Sequence, residues 1–155
     1  MAGATSAQAS IHIDASPHDV YQLISDMPRV GEWSPECYRC EWVDADGPAA
    51  GARFKGYNKV GLLRWTANGR VTVAEPGREF TFATIKGARE ETRWRYVLTA
   101  ADGGTDVTES YEFVWGPWYI LLADVFIPRD RQLQQGMRTT LERIKVAAEE
   151  ATRRA

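Results

Sequence analysis

Glu109 is the residue whose position along the sequence most clearly suggests chemistry. It lies in the run Thr105–Trp115, where Val107, Tyr111 and Phe113 share its parity. A regular strand would place the Glu109 carboxylate on the covered face of a sheet, where an unpaired charge is costly and the pKa tends to rise. Such a group can anchor a ligand, or Glu109 or Tyr111 can assist proton transfer as an acid or base. The structural alternatives are a bulge that turns Glu109 outward, or an internal Arg or Tyr partner.

The other reactive side chains form no recognisable metal or nucleophile site. Cys37 and Cys40 have a Cys-Tyr-Arg-Cys spacing, but a zinc site needs further ligands, and His12 and His18 are the only histidines. The cysteines lie in a predicted strand, which would point the two thiols to opposite faces, so we interpret both as structural. No nucleophile can be placed near either histidine, and no glycine-rich phosphate loop follows a strand. We expect no metal and no cofactor.

Short alternating runs separated by turn residues predict an antiparallel sheet. The first strand is predicted at Gln8–Asp14, with Ile11 and Ile13 on one side. Connections between the later strands are too short for crossover helices. Asn68-Gly69 can be a hairpin turn, but we favour one long strand with a bulge there. The later strands are predicted at Glu36–Asp44, Ala52–Lys59, Leu62–Glu75, Arg78–Ile85, Glu91–Thr99 and Thr105–Trp115.

Helices are predicted on both sides of this series of strands. Ser16 and Pro17 form a helix start, with Ser16 as N-cap and Pro17 at the first helical position. A second short helical segment begins at Asp26-Met27-Pro28 and ends near Gly31. From 128 to 152 the pattern indicates one long amphipathic helix. Its apolar stripe is Leu133, Met137, Leu141, Ile144, Ala148 and Ala151.

Alternation within the predicted strands collects aromatic side chains on one face of the sheet. Clean alternation of this kind means that one face is covered and the other is in contact with water. The chain has 6 Trp, 6 Tyr and 5 Phe, which need a large apolar volume or an apolar ligand to cover them. The residues assigned to the covered face are Trp65, Val71, Val73, Phe80, Phe82, Trp94, Tyr96, Leu98, Val107, Tyr111, Phe113 and Trp115.

Length and charge narrow the class of protein. The 155 residues fit one domain, 1–155, in which we expect 1–7 to be flexible. A net charge of -2 argues against a nucleic-acid partner. The chain start does not resemble a secretory signal, and the apolar stretch 118–127 is shorter than the about 20 residues that span a bilayer. We therefore expect a cytoplasmic protein without stable membrane insertion, and we interpret 118–127 as a lid, with a dimer surface or membrane-contact patch as alternatives.

The order strand, two short helices, six strands and long helix, with the opening segment Ile13–Tyr21, resembles the START-like superfamily. Its polyketide cyclase/dehydrase and lipid-transport branch, the SRPBCC proteins, is the most similar. This resemblance implies an α+β helix-grip fold, in which a curved seven-stranded antiparallel sheet wraps around a long C-terminal helix. Two short helices lie between strands 1 and 2, and a cavity lies between sheet and helix. Further matching segments are Met27–Pro35, Gly51–Gly56, Gly103–Ser110 and Gly136–Lys145.

The resemblance implies binding or transport of a hydrophobic small molecule such as a lipid, polyketide or isoprenoid. We favour a non-catalytic binding protein that is monomeric or homodimeric. A catalytic role needs at least two convergent ionisable groups, and Glu109 is the one such group for which the sequence provides an argument. The alternatives are a polyketide cyclase/aromatase-type enzyme and a protein-interaction module that uses 118–127. The expected ligand contacts are Trp33, Phe54, Asn58, Trp65, Phe80, Phe82, Trp94, Tyr96, Glu109, Tyr111, Phe113, Met137 and Leu141.

Overall fold

A curled antiparallel sheet of seven strands is the centre of the structure, a computed structural model that describes residues 6–117 and 129–155. Its strands are β1 (Ser6–Ile13), β2 (Cys37–Trp42), β3 (Arg53–Val60), β4 (Leu63–Glu75), β5 (Glu79–Lys86), β6 (Arg89–Ala101) and β7 (Gly104–Phe113). Their order across the sheet is β1-β7-β6-β5-β4-β3-β2. Strands β2 to β7 therefore form a meander, and the first strand of the chain joins it at the β7 edge.

In the described part of the chain, three helical segments accompany the sheet: α1 (Pro17–Ile24), a 3₁₀ helix (Met27–Glu32) and α2 (Arg129–Arg154). The predicted N-cap is confirmed, since the Asp19 backbone N–H donates to Ser16 Oγ at 3.1 Å. This bond satisfies one of the backbone donors that a helix start leaves unpaired. The predicted α+β helix-grip fold, with its two short helices and long C-terminal helix, is confirmed.

Helix α2 covers the inner face of the sheet with the predicted apolar stripe. Met137, Leu141, Ile144 and Ala148 are buried, in one cluster with inner-face residues of the sheet. Each fully buried large apolar side chain stabilises the fold by about 1.5–3 kcal/mol, so this stripe holds the helix on the sheet. The prediction for Ala151 is wrong: it is exposed, and the buried stripe ends one turn earlier.

The long strand β4 has a bulge at a different place from the one predicted. The strand continues through Asn68-Gly69, so the alternative of a hairpin turn there is wrong. Its register shifts instead between Val71 and Val73, so that Ala74 rather than Val73 lies beside Phe80. An extra residue in one strand reverses the parity beyond it. Val73 therefore does not lie on the covered face, contrary to the prediction.

The ends of the sheet also differ from the predicted boundaries. Strand β7 ends at Phe113, and Trp115 beyond it is exposed, with the Arg89 guanidinium 4.8 Å from its ring centroid. Ser6 and Ala7, expected to be flexible, pair with β7. The apolar stretch 118–127 lies outside the described residues.

Candidate functional site

Five aromatic side chains form a continuous row across the inner face, which we call the aromatic row: Trp42, Phe54, Phe82, Trp94 and Tyr111. Trp42 and Phe54 have ring centroids 6.3 Å apart, and Phe54 and Phe82 are 5.3 Å apart, both edge to face. Phe82 stacks on Trp94 at 6.4 Å, and Trp94 contacts Tyr111 at 4.8 Å. Phe54 is buried and the other four are half-buried, so the row is a large apolar surface that the chain covers incompletely.

Gly69 gives the row its space at β4. It pairs with Phe54, and a Cβ built on Gly69 would lie 2.1 Å from Phe54 Cζ. Any larger residue would push the ring away, because the core is packed to crystal-like density. The aromatic ring therefore occupies the position that a β4 side chain would fill.

Phe80 is deeper than the row and belongs to the solid part of the core. It is fully buried, with its ring centroid 6.0 Å from that of Phe82 and 6.2 Å from that of Tyr21 on α1. The predicted contacts Met137 and Leu141 are buried in the same cluster. Phe80 thus backs the aromatic row and joins it to the helical layer.

Glu109 lies on the inner face of β7, as its parity predicts, with 2% of its surface exposed. It is opposite Tyr96 of β6, and Tyr96 Oη donates a hydrogen bond of 2.8 Å to Glu109 Oε1. Among the described residues, no hydrogen-bond partner reaches the other oxygen, Oε2, which is also buried. A buried polar atom without a partner costs roughly 1–3 kcal/mol, so the fold retains this carboxyl at a cost.

Burial determines the protonation of this pair. It raises the pKa of Glu109 to about 8, although the hydrogen bond from Tyr96 opposes part of the rise. Burial, followed by the effect of the neighbouring carboxylate, raises the pKa of Tyr96 well above its ordinary value. Near neutral pH, Glu109 is therefore largely a neutral carboxylic acid. Its Oε1 accepts from Tyr96, and its Oε2 can carry a proton to donate.

The partner of Glu109 could have been found from the sequence. Asp102 and Gly103, both with positive φ, form the two-residue turn between β6 and β7. Counting back from that turn places Tyr96 opposite Glu109. Trp42 and Gly69, in contrast, are members of the site that sequence reasoning missed, because their roles depend on registers between several strands.

The remaining predicted ligand contacts lie in other surroundings. Trp33 is buried after the 3₁₀ helix, where its carbonyl accepts from Arg143 and the Arg29 guanidinium lies 5.3 Å from its ring centroid. Asn58 and Trp65 are paired at the tip of the β3–β4 hairpin. Trp65 is 37% exposed, and Phe113 at the end of β7 is half-buried. For all the predicted contacts, a ligand-binding role stays a prediction.

The two cysteines share one face of the sheet, contrary to the prediction. A bulge between Cys37 and Arg39 leaves Cys37 opposite Asn58 and Cys40 opposite Gly56, two positions of equal parity. Burial raises the pKa of both thiols, that of Cys40 to about 12, so neither readily forms a reactive thiolate. Within 6–117 and 129–155, no group of three potential metal ligands occurs.

Two open clefts border helix α2. One, of ≈ 470 Å³, lies between β1 and α2, and the other, of ≈ 710 Å³, lies between the β3–β4 hairpin and α2. Neither the residues of the aromatic row nor Glu109 are among the residues that line them. The predicted internal cavity thus stays a prediction.

Comparison with known proteins identifies the family. The profile described as "Polyketide cyclase / dehydrase and lipid transport" matches residues 4–149. The chain belongs to this family. A polyketide-cyclase-like protein, Cgl2372 from Corynebacterium glutamicum, is 31% identical, with 99% of this chain and 94% of the relative covered and a TM-score of 0.63. A comparison with curated proteins finds no significant match.

Other solved structures share the fold at lower identity. The di-domain aromatase/cyclase StfQ of the steffimycin biosynthetic pathway is 13% identical, with a TM-score of 0.77 over 96% of this chain and 51% of StfQ. The Aha1 dimer from Colwellia psychrerythraea is 17% identical, with a TM-score of 0.62 over 94% of this chain and 97% of the relative.

Membership of the polyketide cyclase/dehydrase and lipid-transport family supports a role in binding a hydrophobic ligand or in cyclase-type chemistry. The aromatic row and the buried acid are inner-face features that fit either role. No helix in the described part of the chain has the length and apolar character needed to cross a bilayer.

Proposed function

We propose that this protein binds a hydrophobic small molecule against the aromatic row, with Glu109 as the polar anchor. The observation that carries the proposal is the buried carboxyl group of Glu109 and its hydrogen bond from Tyr96. Tyr96 holds Glu109 Oε1 at 2.8 Å, while Oε2 is buried without a partner among the described residues. Ligand pockets are mostly apolar with a few well-placed polar groups, and a half-satisfied buried acid beside half-buried aromatics fits that description.

The protonation of Glu109 restricts the ligand's chemistry. Because its pKa is raised to about 8, Oε2 carries a proton near neutral pH and donates to an acceptor. A ketone, quinone or ester carbonyl on an otherwise apolar molecule is such an acceptor. The flat rings of Trp94 and Phe82, stacked at 6.4 Å, offer the apolar part an aromatic surface. The proposed ligand class is therefore a carbonyl-bearing polyketide, lipid or isoprenoid.

A cyclase-type activity is the second candidate, favoured by the same raised pKa. A carboxyl that titrates at about 8 can exchange a proton near neutral pH, as a general acid or base must. Catalysis requires a second ionisable group at the reacting atoms, and the pKa of Tyr96 is too high for it to release its proton easily. Binding thus needs fewer assumptions than catalysis.

A matched ligand pair tests the binding proposal. We would titrate the protein with emodin, an aromatic polyketide with ring carbonyls, and with anthracene, its hydrocarbon frame, and follow tryptophan fluorescence. Emodin should bind more tightly than anthracene. Glu109→Leu should lower the affinity for emodin by about tenfold, which is the effect of one lost hydrogen bond at a buried site. It should leave the affinity for anthracene unchanged.

The pH dependence separates Glu109 from general packing. Wild-type affinity for 9,10-anthraquinone, which keeps the ring carbonyls of emodin but has no phenol that ionises, should fall as pH rises through about 8, where Glu109 loses the proton it donates. Glu109→Gln keeps a donor at this position, so its affinity should not show that loss. Glu112→Gln, an exposed acid on the same strand, is the matched control. Equal affinity of emodin for wild type and Glu109→Leu would remove Glu109 from the site.

A separate assay addresses the cyclase alternative. A linear poly-β-ketone thioester would be incubated with the protein and the products analysed by mass spectrometry. Turnover that is lost in Glu109→Gln while emodin binding persists would establish proton transfer by Glu109. If the thioester stays unchanged while emodin still binds, the function is ligand binding or transport and not cyclisation.

A further inference from the structure

The turn between β3 and β4 carries an apolar tip that lies outside the hydrophobic core. Its two residues are Gly61, with φ +59°, and Leu62. Glycine at the first central position meets the conformational demand of such a hairpin turn. Leu62 is 102% exposed and Leu63 is 64% exposed, so neither contributes to the core. The two adjacent leucines therefore form a small exposed apolar patch at the end of the hairpin.

The other two-residue turns of the sheet make this tip unusual. Strands β5 and β6 are joined by Gly87-Ala88, and β6 and β7 by Asp102-Gly103. Those residues are small or polar, as tight turns usually are. Among the two-residue turns of the described residues, the β3–β4 turn therefore differs in carrying a large apolar side chain, Leu62. The backbone geometry of the turn does not require such a side chain.

Aromatic rings and cations surround the base of the apolar tip. Tyr38 is 41% exposed, with Lys59 Nζ 5.3 Å and the Arg64 guanidinium 5.8 Å from its ring centroid. Trp65, two residues beyond Leu63, is 37% exposed. Amphipathic aromatic rings and flexible cationic side chains around an apolar group are the composition of protein segments that lie at a lipid–water interface.

The cleft beside the hairpin extends this cationic surface to α2. Lys59 and Arg64 line one side of the ≈ 710 Å³ cleft and Arg131 lines the other, with Glu36 as an acidic member. Further along the outer face, Lys55 lies 5.4 Å from the Tyr57 ring centroid. The chain as a whole has a net charge of -2, so this concentration of cations is a local feature.

Within the described residues, two ion pairs on this side of the sheet involve cations that lie farther from the tip. Asp44 pairs with Arg53 at 2.8 Å, and Glu41 pairs with Arg39 at 3.0 Å. Both pairs lie along β2 and β3 toward the other end of the strands, away from the Leu62 turn. Lys59 and Arg64 instead lie at the Tyr38 ring, at the turn end of the hairpin, where they can meet negative charge outside the protein.

We propose that the β3–β4 hairpin tip docks reversibly on an anionic lipid bilayer. Leu62 and Leu63 enter the boundary between headgroups and acyl chains, Tyr38 lies at headgroup level, and Lys59, Arg64 and Arg131 contact lipid phosphates. A basic residue near an anionic membrane surface strengthens binding about fivefold, and buried apolar area adds to that attraction. This docking surface goes beyond the proposed function and holds whatever molecule the inner face binds.

The size of the tip favours a bilayer over a protein partner. A stable protein interface buries about 800 Å² on each partner, far more than two leucine side chains provide. A bilayer needs no matching shape and rewards a small apolar insertion combined with several cations. The charge complementarity around Tyr38 therefore selects a lipid surface as the occupant.

Vesicle flotation tests the docking surface with the whole protein. Wild type should float with vesicles of phosphatidylcholine and phosphatidylglycerol and should bind much less to phosphatidylcholine alone. Leu62→Ser/Leu63→Ser should lower the partition coefficient by about tenfold, because the inserted apolar area is lost. Lys59→Gln/Arg64→Gln should lower it about 25-fold, and added salt should weaken wild type in the same direction.

Two controls show that a loss of binding is local. Val43→Ser/Val146→Ser removes exposed apolar side chains elsewhere and should bind like wild type. Thermal unfolding of the leucine double variant should match wild type, since neither leucine is buried. Wild type that fails to bind anionic vesicles, or leucine variants that bind as well as wild type, would overturn the proposal. So would a wild-type dimer that the leucine changes convert to a monomer, since the tip would then be a self-interface.

Discussion

A protonated glutamic acid inside an aromatic surface is a source of instability that a purely structural core would not retain. A leucine or methionine at position 109 would fill similar space without desolvating a carboxyl. Among the described residues, Tyr96 reaches one of the two oxygens, Oε1, and no partner reaches Oε2. This cost is consistent with the ligand carbonyl proposed above, and it gives a measurable signature.

Glu109→Gln should stabilise the protein increasingly as pH rises from about 4.5 to about 8. The pKa is higher in the folded than in the unfolded state, so the folded state holds a proton that the unfolded chain releases, and wild-type stability falls over that interval. One pKa unit corresponds to about 1.4 kcal/mol, so the gain should reach several kcal/mol at the alkaline end. Urea unfolding at several pH values measures it.

Glu112→Gln should show no comparable gain, because Glu112 is exposed beside Arg93. If Glu109→Gln and wild type keep a constant stability difference across this interval, Glu109 does not hold its proton in the folded state. The proposed hydrogen bond to a ligand carbonyl would then have no donor.

At the scale of elements, the aromatic row exists because β4 contributes no side chain at Gly69. Phe54 of β3 lies over that position and reaches Phe82 of β5, with ring centroids 5.3 Å apart. Two strands that are not neighbours thus share an aromatic contact across the strand between them. Gly69 is required for the space that its missing side chain leaves and not for an unusual backbone conformation, since its φ is not positive.

Gly69→Ala should destabilise the protein by about 1–3 kcal/mol, the usual cost of forcing a side chain into a packed core. Phe54→Leu should relieve much of the strain, so the double variant should be more stable than the sum of the single effects predicts. Gly47→Ala is the control, because a Cβ there meets nothing within 4 Å. Additive effects of Gly69→Ala and Phe54→Leu in thermal unfolding would show that the ring does not limit position 69.

The elements themselves were predictable because each depends on local patterns. Period-two alternation and the turn residues located all the strands, and Ser16 marked the start of α1. Bulges were not predictable, since an extra residue is defined only against a partner strand: this is why Val73 and the Cys37–Cys40 pair were assigned to wrong faces. For the site, parity alone predicted the burial of Glu109. The aromatic row required registers between several strands, which a single strand's pattern does not contain.

At the scale of the whole molecule, a charged cluster joins the first strand, the last strand and the final helix. His12 Nδ1 lies 2.7 Å from Asp106 and Nε2 lies 3.1 Å from Asp14. Lys145 on α2 donates to the His12 carbonyl at 2.9 Å and pairs with Glu149 at 2.6 Å. The cluster ties together segments from both halves of the sequence, and its central group is the His12 imidazole, whose pKa is raised chiefly by the hydrogen bond to Asp106.

His12→Gln should cost more stability in mildly acidic than in alkaline buffer. The hydrogen bond to Asp106, followed by the one to Asp14, raises the pKa of His12 above 6.5 in the folded state. The contribution of the charged imidazole is then fully present below pH 6.5 and is lost as pH rises through the raised pKa. The Tm difference between wild type and His12→Gln, followed against pH, measures it.

His18→Gln, on the exposed side of α1, provides the comparison for this test. If the Tm difference for His12→Gln is as large at alkaline as at acidic pH, the imidazole contributes through packing and not through charge. The cluster would then join the three segments without sensing pH.

The pairing of β1 with β7 also determines the order in which the protein can be built. Ser10 Oγ and Thr108 Oγ1 are 2.8 Å apart, although 98 positions separate them along the chain. On a ribosome, β1 emerges first but has no sheet edge to join until β7 has emerged, whereas the strands of the meander can pair in turn with their neighbours. Loop closure over such a separation is slow. The first strand of the sheet to be synthesised is thus among the last to acquire its native hydrogen bonds, and a nascent chain released before β7 would carry an unpaired β1.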